Sequence, residues 1–190
     1  MKHLKMLGLV MVATAAFMAF ASSASANPVL TSPANVEYTG SFLATAEGTN
    51  LFQAGFANFT CTTSTVGGTV TTNNTTKASG PITTLDTSGC SATVTTLVNG
   101  TLEIVPNAPT GSNKGTVKGS GSQVTVSTLG VSCVYGTGAG TTLGTATGGN
   151  PATIAVSASL PKISGGFLCA SPASWTASYT VTSPKPLIID

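Results

Sequence analysis

Four cysteines are the residues of this sequence whose chemistry is best defined. They are Cys61, Cys90, Cys133 and Cys169. Thiols either pair as disulfides in an oxidising compartment or hold a metal ion. A zinc site of four thiolates usually contains close pairs such as Cys-x-x-Cys, and no two of these cysteines lie close together in the sequence. We therefore expect two disulfides, for which four cysteines allow three pairings.

The two halves of the sequence resemble each other, which favours one of these pairings. A strand-like run leads into Cys61 and another leads into Cys133. Each run is followed by a stretch rich in Gly and Thr and then by a second cysteine. The favoured pairs are Cys61 with Cys90 and Cys133 with Cys169. In the chain-entropy model, loops of this length stabilise the fold by roughly 3.5–4 kcal/mol each.

Groups for acid–base catalysis or metal binding are scarce. The sequence has one histidine and no arginine, and the histidine precedes residue 27. The carboxylates that follow are scattered without a motif: Glu37, Glu47, Asp86, Glu103 and Asp190. A Ser–Lys pair is the remaining nucleophilic arrangement, and we expect the lysines to be surface groups instead. The sequence thus predicts a protein without catalytic, cofactor-binding or metal-binding residues, and not an enzyme.

Charge is also scarce, at 6% of the residues. From residue 27 onward the lysines and the carboxylates are equal in number, because the two extra lysines, Lys2 and Lys5, come earlier. The lack of a basic cluster argues against a nucleic-acid partner. Weak repulsion between copies and few charges at strand edges favour contact with apolar material or matrix, or self-assembly.

Residues 1–26 have the three parts of a secretory signal peptide. Two lysines come first, fifteen uncharged residues follow from Met6 to Phe20, and the segment ends in Ala24-Ser25-Ala26. Fifteen helical residues would span about 22 Å, which is less than the ~30 Å of a bilayer core. We expect cleavage after Ala26 and a secreted, extracellular domain of residues 27–190 without a transmembrane anchor.

The mature part alternates like β-strands and has no helical periodicity. It predicts one all-β domain, an antiparallel β-sandwich or barrel-like fold of about ten short strands stapled by disulfides. Asn99-Gly100, between two strand-like runs, is the strongest hairpin signal. Residues 110–123 are expected to form an exposed loop or edge, and residues 136–151 a mobile loop. Trp175 and Tyr179 share a strand face and are expected in the core rather than on a carbohydrate-stacking surface.

Two segments resemble a known family. The start of the predicted mature chain, Asn27-Pro28-Val29-Leu30-Thr31-Ser32-Pro33-Ala34-Asn35, is similar to that of secreted bacterial activators of alkane oxidation of the PraB type. The four-cysteine plan and the ending Thr176-Ala177-Ser178-Tyr179-Thr180-Val181-Thr182-Ser183-Pro184 resemble the same group and related bacterial secreted four-cysteine β proteins. The resemblance implies an extracellular, non-enzymatic protein linked to growth on hydrophobic substrates and to biofilm or surface attachment. It brings no catalytic residues with it.

The main functional hypothesis is a secreted protein that contacts hydrophobic surfaces or extracellular matrix. The alternative is a subunit of an extracellular, pilus-like filament that donates residues 27–45 as a strand to its neighbour. Apolar surfaces, matrix components and further copies of the chain are therefore the expected partners.

Overall fold

The structure is a computed structural model that describes residues 27–55, 57–109 and 111–190. The predicted signal peptide, residues 1–26, lies outside the described residues. Strands are the only regular secondary structure in the described part, which confirms the all-β prediction. No helix in that part is long and apolar enough to cross a membrane.

Sixteen strands form among the described residues, and three of them are much longer than expected. The first eight are β1 (Leu30–Thr31), β2 (Gly40–Ala46), β3 (Asn50–Gly55), β4 (Asn58–Val70), β5 (Thr72–Asn73), β6 (Ala78–Cys90), β7 (Thr93–Val98) and β8 (Thr101–Pro106). The others are β9 (Lys114–Ser120), β10 (Gln123–Thr128), β11 (Val131–Gly136), β12 (Thr141–Thr147), β13 (Thr153–Leu160), β14 (Lys162–Gly165), β15 (Cys169–Ser183) and β16 (Ile188–Ile189).

Strands β2 and β3 together occupy one position in a larger sheet. Both pair antiparallel with β4, where Thr45 faces Thr65 and Asn50 faces Cys61. Both also pair antiparallel with β15 on their other side. Gly48 lies in the short break between them, and its φ of +74° is a conformation that glycine adopts without strain.

This sheet closes into an eight-stranded antiparallel barrel. From β4 the order runs through β6, β8, β9, β12, β13 and β15 to the β2/β3 position and back to β4. Closure gives every barrel strand a partner on each side, although β6 pairs with β8 only over Ala78–Pro81. The barrel form of the predicted architecture is thus the one adopted.

A second sheet of four strands packs against the barrel. Its order is β14-β11-β10-β7, and we call it the small sheet. Tyr135 of β11 is fully buried, and its ring meets that of Phe52 in the barrel edge-on, with centroids 5.3 Å apart. Strands β1 and β16 form a separate two-stranded ribbon that joins the two ends of the described chain.

The predicted hairpin at Asn99-Gly100 is wrong. Strand β7 pairs with β10 in the small sheet, whereas β8 pairs with β6 and β9 in the barrel. The Asn99 side chain donates a hydrogen bond to the Thr83 carbonyl at 3.0 Å, and the Ile82 N–H donates to the Gly100 carbonyl at 3.0 Å. Gly100 does have a positive φ, but the turn carries the chain from one sheet to the other.

Two segments expected as loops contain barrel strands instead. Residues 110–123 include β9, which lies between β8 and β12, and residues 136–151 include β12. On β9 the buried positions are Gly115, Val117 and Gly119, so glycine replaces the apolar residues that normally reveal a strand. A Cβ at Gly119 would lie 2.9 Å from the Leu143 side chain, which therefore fills the space that glycine leaves.

Both predicted disulfides are present. Cys61 on β4 is joined to Cys90 at the end of β6, where the two residues face each other in the barrel wall. Cys133 on β11 is joined to Cys169 at the start of β15, so this bond ties the small sheet to the barrel. Disulfides of this kind indicate an oxidising compartment.

Candidate functional site

The carboxylates do not converge on a site. Glu103 forms an ion pair with Lys77 at 2.9 Å, and Glu47 accepts a hydrogen bond from the Thr180 hydroxyl. The described part of the chain holds no group of three or more His, Cys, Asp or Glu side chains that could bind a metal.

One Ser-x-x-Lys spacing, which could form a Ser–Lys pair, occurs after residue 26, from Ser159 to Lys162. Ser159 is exposed on β13. The Lys162 ammonium donates to the backbone carbonyls of Gly166 and Cys169, at 3.4 and 3.3 Å. Its contacts thus hold the turn between β14 and β15 and involve no serine.

Tyr179 is buried and Trp175 is partly buried against the core, as expected for core aromatics. Their rings meet edge-on with centroids 6.3 Å apart. Tyr179 is buried, and its hydroxyl shares a hydrogen bond of 2.8 Å with the Ser64 hydroxyl. The pair therefore does not form an exposed surface for stacking on a sugar.

Tyr179 predicts how stability changes in alkaline solution. Burial raises the pKa of Tyr179 from 10.0 to about 12, against a smaller lowering by the Ser64 hydrogen bond. Burial also raises the pKa of Tyr38 and of Tyr135. Below pH 10 the stabilisation by neutral Tyr179 is complete. Between pH 10 and about 12 the unfolded chain releases protons that the folded chain keeps, so the free energy of unfolding falls by roughly 3 kcal/mol.

Urea unfolding at a series of pH values, with tyrosinate absorbance as a second signal, measures this effect. Tyr179→Phe should make the fall with pH shallower. Ionisation of all three tyrosines at pH 10 in the folded protein would contradict the prediction.

The most exposed large apolar side chains lie in two turns of the small sheet. Leu129, between β10 and β11, is 93% exposed, and Phe167, between β14 and β15, is 95% exposed. Leu168 beside it is 45% exposed. We call these three residues the apolar tip.

Strand register places both turns at the same end of the small sheet. Strands β10 and β11 are joined directly by the turn at Leu129, next to the pair Thr128 and Val131. Strand β14 runs toward this end, because its Gly165 faces Cys133 and its Lys162 faces Tyr135 further away. Residues 166–168 continue in that direction. The turns with Leu129 and Phe167 therefore leave the sheet together.

Leu129 has a backbone conformation that disfavours leucine. Its φ is +50° and that of Gly130 is +77°, which is the pattern of a two-residue type I′ hairpin turn. Asn-Gly is the preferred pair there, and a residue such as leucine costs about 1–2 kcal/mol in the left-handed region. Burial cannot offset this cost, because the side chain faces solvent. Backbone strain without a packing benefit is typical of functional positions.

The second turn is firmly anchored at its base. The Cys169 N–H donates to the Gly166 carbonyl at 3.1 Å, and the Lys162 ammonium donates to the same carbonyl. The disulfide of Cys169 with Cys133 fixes the residue that follows Leu168. A Cβ at Gly165 would lie 2.5 Å from the Cys169 sulfur, so this close approach requires glycine. These contacts fix the backbone on both sides of Phe167, whose side chain is exposed to solvent.

The apolar tip could not be predicted from the sequence. The available signals were a leucine in place of asparagine before Gly130 and a Phe-Leu pair between Gly166 and Cys169. Neither signal reveals exposure, which depends on the partners of β11 and β14.

No protein-family model, no curated protein and no solved structure matches this chain. The resemblance to PraB-type activators of alkane oxidation therefore stays a prediction from short sequence segments. Among the described residues, the apolar tip is the most unusual surface feature, because two of its large apolar side chains are more than 90% exposed to solvent.

Proposed function

We propose that this chain is a secreted, non-enzymatic bacterial protein that contacts apolar surfaces through the apolar tip. The observation that carries the proposal is the exposure of Leu129 and Phe167, each above 90%, at one end of the small sheet. The resemblance to PraB-type activators would make the contacted material hydrocarbon or the matrix of a biofilm formed on it.

The energetics of the apolar tip suit reversible adsorption. Transfer of a leucine or phenylalanine side chain from water to an apolar phase is worth about 1.5–3 kcal/mol. The tip therefore supplies roughly 5 kcal/mol for a single molecule. Many copies held in a matrix would adhere much more strongly, because their contacts act together.

The shape of the tip favours a broad apolar phase over a peptide. Its side chains project from turns, and none of the three lines either of the two cavities in the described part of the molecule. The nearest lysine ammonium, that of Lys162, is engaged with the backbone carbonyls of the turn. The balanced formal charge from residue 27 onward also keeps repulsion low at an oil–water boundary.

Leu129→Asn tests the proposal because it separates adsorption from stability. Asparagine suits the positive φ of this turn, so the free energy of unfolding should rise by about 1 kcal/mol. Adsorption to hexadecane droplets should fall several-fold, since one of the two protruding side chains is lost. Phe167→Ser should lower adsorption by a similar factor with little effect on stability. Droplet partitioning and urea unfolding measure the two quantities.

Leu97→Thr is the matched control. Leu97 is also exposed, at 53%, but it lies on β7 near the opposite end of the small sheet. Its substitution should leave adsorption unchanged. Equal adsorption by the wild type, Leu129→Asn and Phe167→Ser would refute the proposed role of the tip.

The alternative function, a filament subunit that exchanges its N-terminal strand, involves a different part of the molecule. Residues 27–45 contain β1 and the first part of β2, and both pair within their own chain. Exchange of residues 27–45 would require β1 to leave β16 and the first part of β2 to leave β4 and β15, with the same residues of a neighbour taking their places.

A further inference from the structure

A cavity of about 130 Å³ lies in the barrel, next to the small sheet. Its wall is mostly apolar and includes Phe42, Phe52, Leu143, Val156 and Trp175 from the barrel and Val94 from the small sheet. An apolar cavity of about 150 Å³ in another protein stays dry and accepts benzene. The present cavity is slightly smaller, and it therefore has the size and character for a molecule close to benzene in size.

Two polar side chains in the wall, Asn50 and Tyr135, have unused hydrogen-bonding capacity. Asn50 is only 6% exposed, and its Nδ2 makes a long hydrogen bond of 3.5 Å to the Cys61 carbonyl. Its Oδ1 accepts no hydrogen bond from the described residues. By contrast, the hydroxyls of Ser64 and Tyr179, which also belong to the wall, bond to each other. Like Asn50 Oδ1, the Tyr135 hydroxyl has no hydrogen-bond partner of good geometry, although it lies beside the backbone of Ala170.

A buried amide that lacks hydrogen-bond partners lowers the stability of the folded protein. A ligand that forms a hydrogen bond with this amide would remove that penalty. A hydroxyl group both donates and accepts hydrogen bonds. It would therefore satisfy Asn50 whichever of the two amide atoms faces it. The rest of the ligand has to be apolar, because the remaining wall is mostly apolar and would leave further polar groups without hydrogen bonds.

We propose that the barrel cavity binds a small apolar molecule bearing a single hydroxyl group, of the size of phenol. The hydroxyl group bonds to the Asn50 amide, and the hydrocarbon part packs among the aromatic and aliphatic side chains. This site is separate from the apolar tip and does not depend on its role.

Phenol and toluene form a matched pair for the test, because they have the same number of non-hydrogen atoms and differ in the hydroxyl group. Each is titrated into the oxidised protein while the amide resonances and the melting temperature are followed. Phenol should bind saturably, shift the Asn50 side-chain resonances and raise the melting temperature. It should bind roughly fivefold or more tightly than toluene, as one net hydrogen bond implies.

Two substitutions locate the binding. Asn50→Leu should abolish the preference for phenol over toluene. Ala44→Leu fills space in the wall and should weaken both ligands; Val94→Leu, at a less buried position, serves if Ala44→Leu does not fold. Absence of saturable binding by phenol would overturn the proposal. So would a toluene affinity equal to or above that of phenol, or a preference for phenol that survives Asn50→Leu.

Discussion

Replacing Cys133 and Cys169 together by alanine should lower the free energy of unfolding by about 4 kcal/mol and also weaken adsorption to hexadecane. The bond closes a loop with a sequence separation of 36 residues, for which the chain-entropy model gives this magnitude. Adsorption falls as well, because Cys169 directly follows Leu168 and anchors the turn that presents Phe167. Without the bond, the turn is held mainly by the Lys162 contacts and one backbone hydrogen bond.

The other disulfide provides a matched control. Cys61 and Cys90 have a sequence separation of 29, face each other in the barrel wall and anchor neither turn of the apolar tip. Replacing this pair by alanine should cost about 3.5–4 kcal/mol in stability. Adsorption of the folded variant should equal that of the wild type.

Urea unfolding and droplet partitioning below the unfolding transition measure the two effects for both variants. Equal losses of adsorption in the two variants would mean that disulfides act only through general stability. Unchanged adsorption in the Cys133/Cys169 variant would mean that the turn needs no covalent anchor.

Deleting residues 27–34 should lower the free energy of unfolding by about 5 kcal/mol or more. Val29, Leu30 and Thr31 are almost fully buried, and burial of a Val or Leu side chain contributes about 1.5–3 kcal/mol. The deletion also removes backbone contacts that include those from Val29 N–H to the Asn74 carbonyl, from Leu30 N–H to the Asn73 side chain, and from Asp190 N–H to the Val29 carbonyl. Hydrogen bonds of this kind contribute roughly 1 kcal/mol each.

Size-exclusion chromatography with light scattering, combined with urea unfolding, distinguishes the two proposed functions. If the chain acts as a monomer, the deletion destabilises it without changing an assembled state. If it is a filament subunit, wild-type protein forms oligomers that the deletion abolishes. A deletion variant with wild-type stability would show that β1 contributes little to this fold. Val29→Ser gives a milder variant, with the same direction of change, should the deletion prevent folding.

Much of the fold could be predicted from the sequence, because the signals were local. Alternating Thr and Val residues identified most strands, and the similar surroundings of Cys61 and Cys133 identified both disulfides. Strands β9 and β12 could not be recognised, since glycines such as Gly115 and Gly119 occupy buried positions of β9. These glycines are explained only by neighbours such as Leu143, which are distant in sequence.

The Asn99-Gly100 turn shows where local preference fails. The dipeptide has a strong tendency to form a hairpin, but β7 finds its partner in β10 and β8 finds its partners in β6 and β9. Pairing with these strands places Val94 of β7 opposite Val126 and buries the latter against the barrel. Strand pairing and packing in the two sheets together stabilise the fold more than one isolated hairpin would.

The sequence by itself determined the all-β class, the pairing of the cysteines and the near absence of charge, because these follow from residue types and their near neighbours. Only the tertiary structure decided that the barrel closes, that a cavity remains beside Asn50, and that Leu129 and Phe167 protrude at one end of the small sheet. Exposure and cavities depend on which distant segments pack together. The sequence around a leucine therefore does not show whether its side chain is buried in a core or exposed to water.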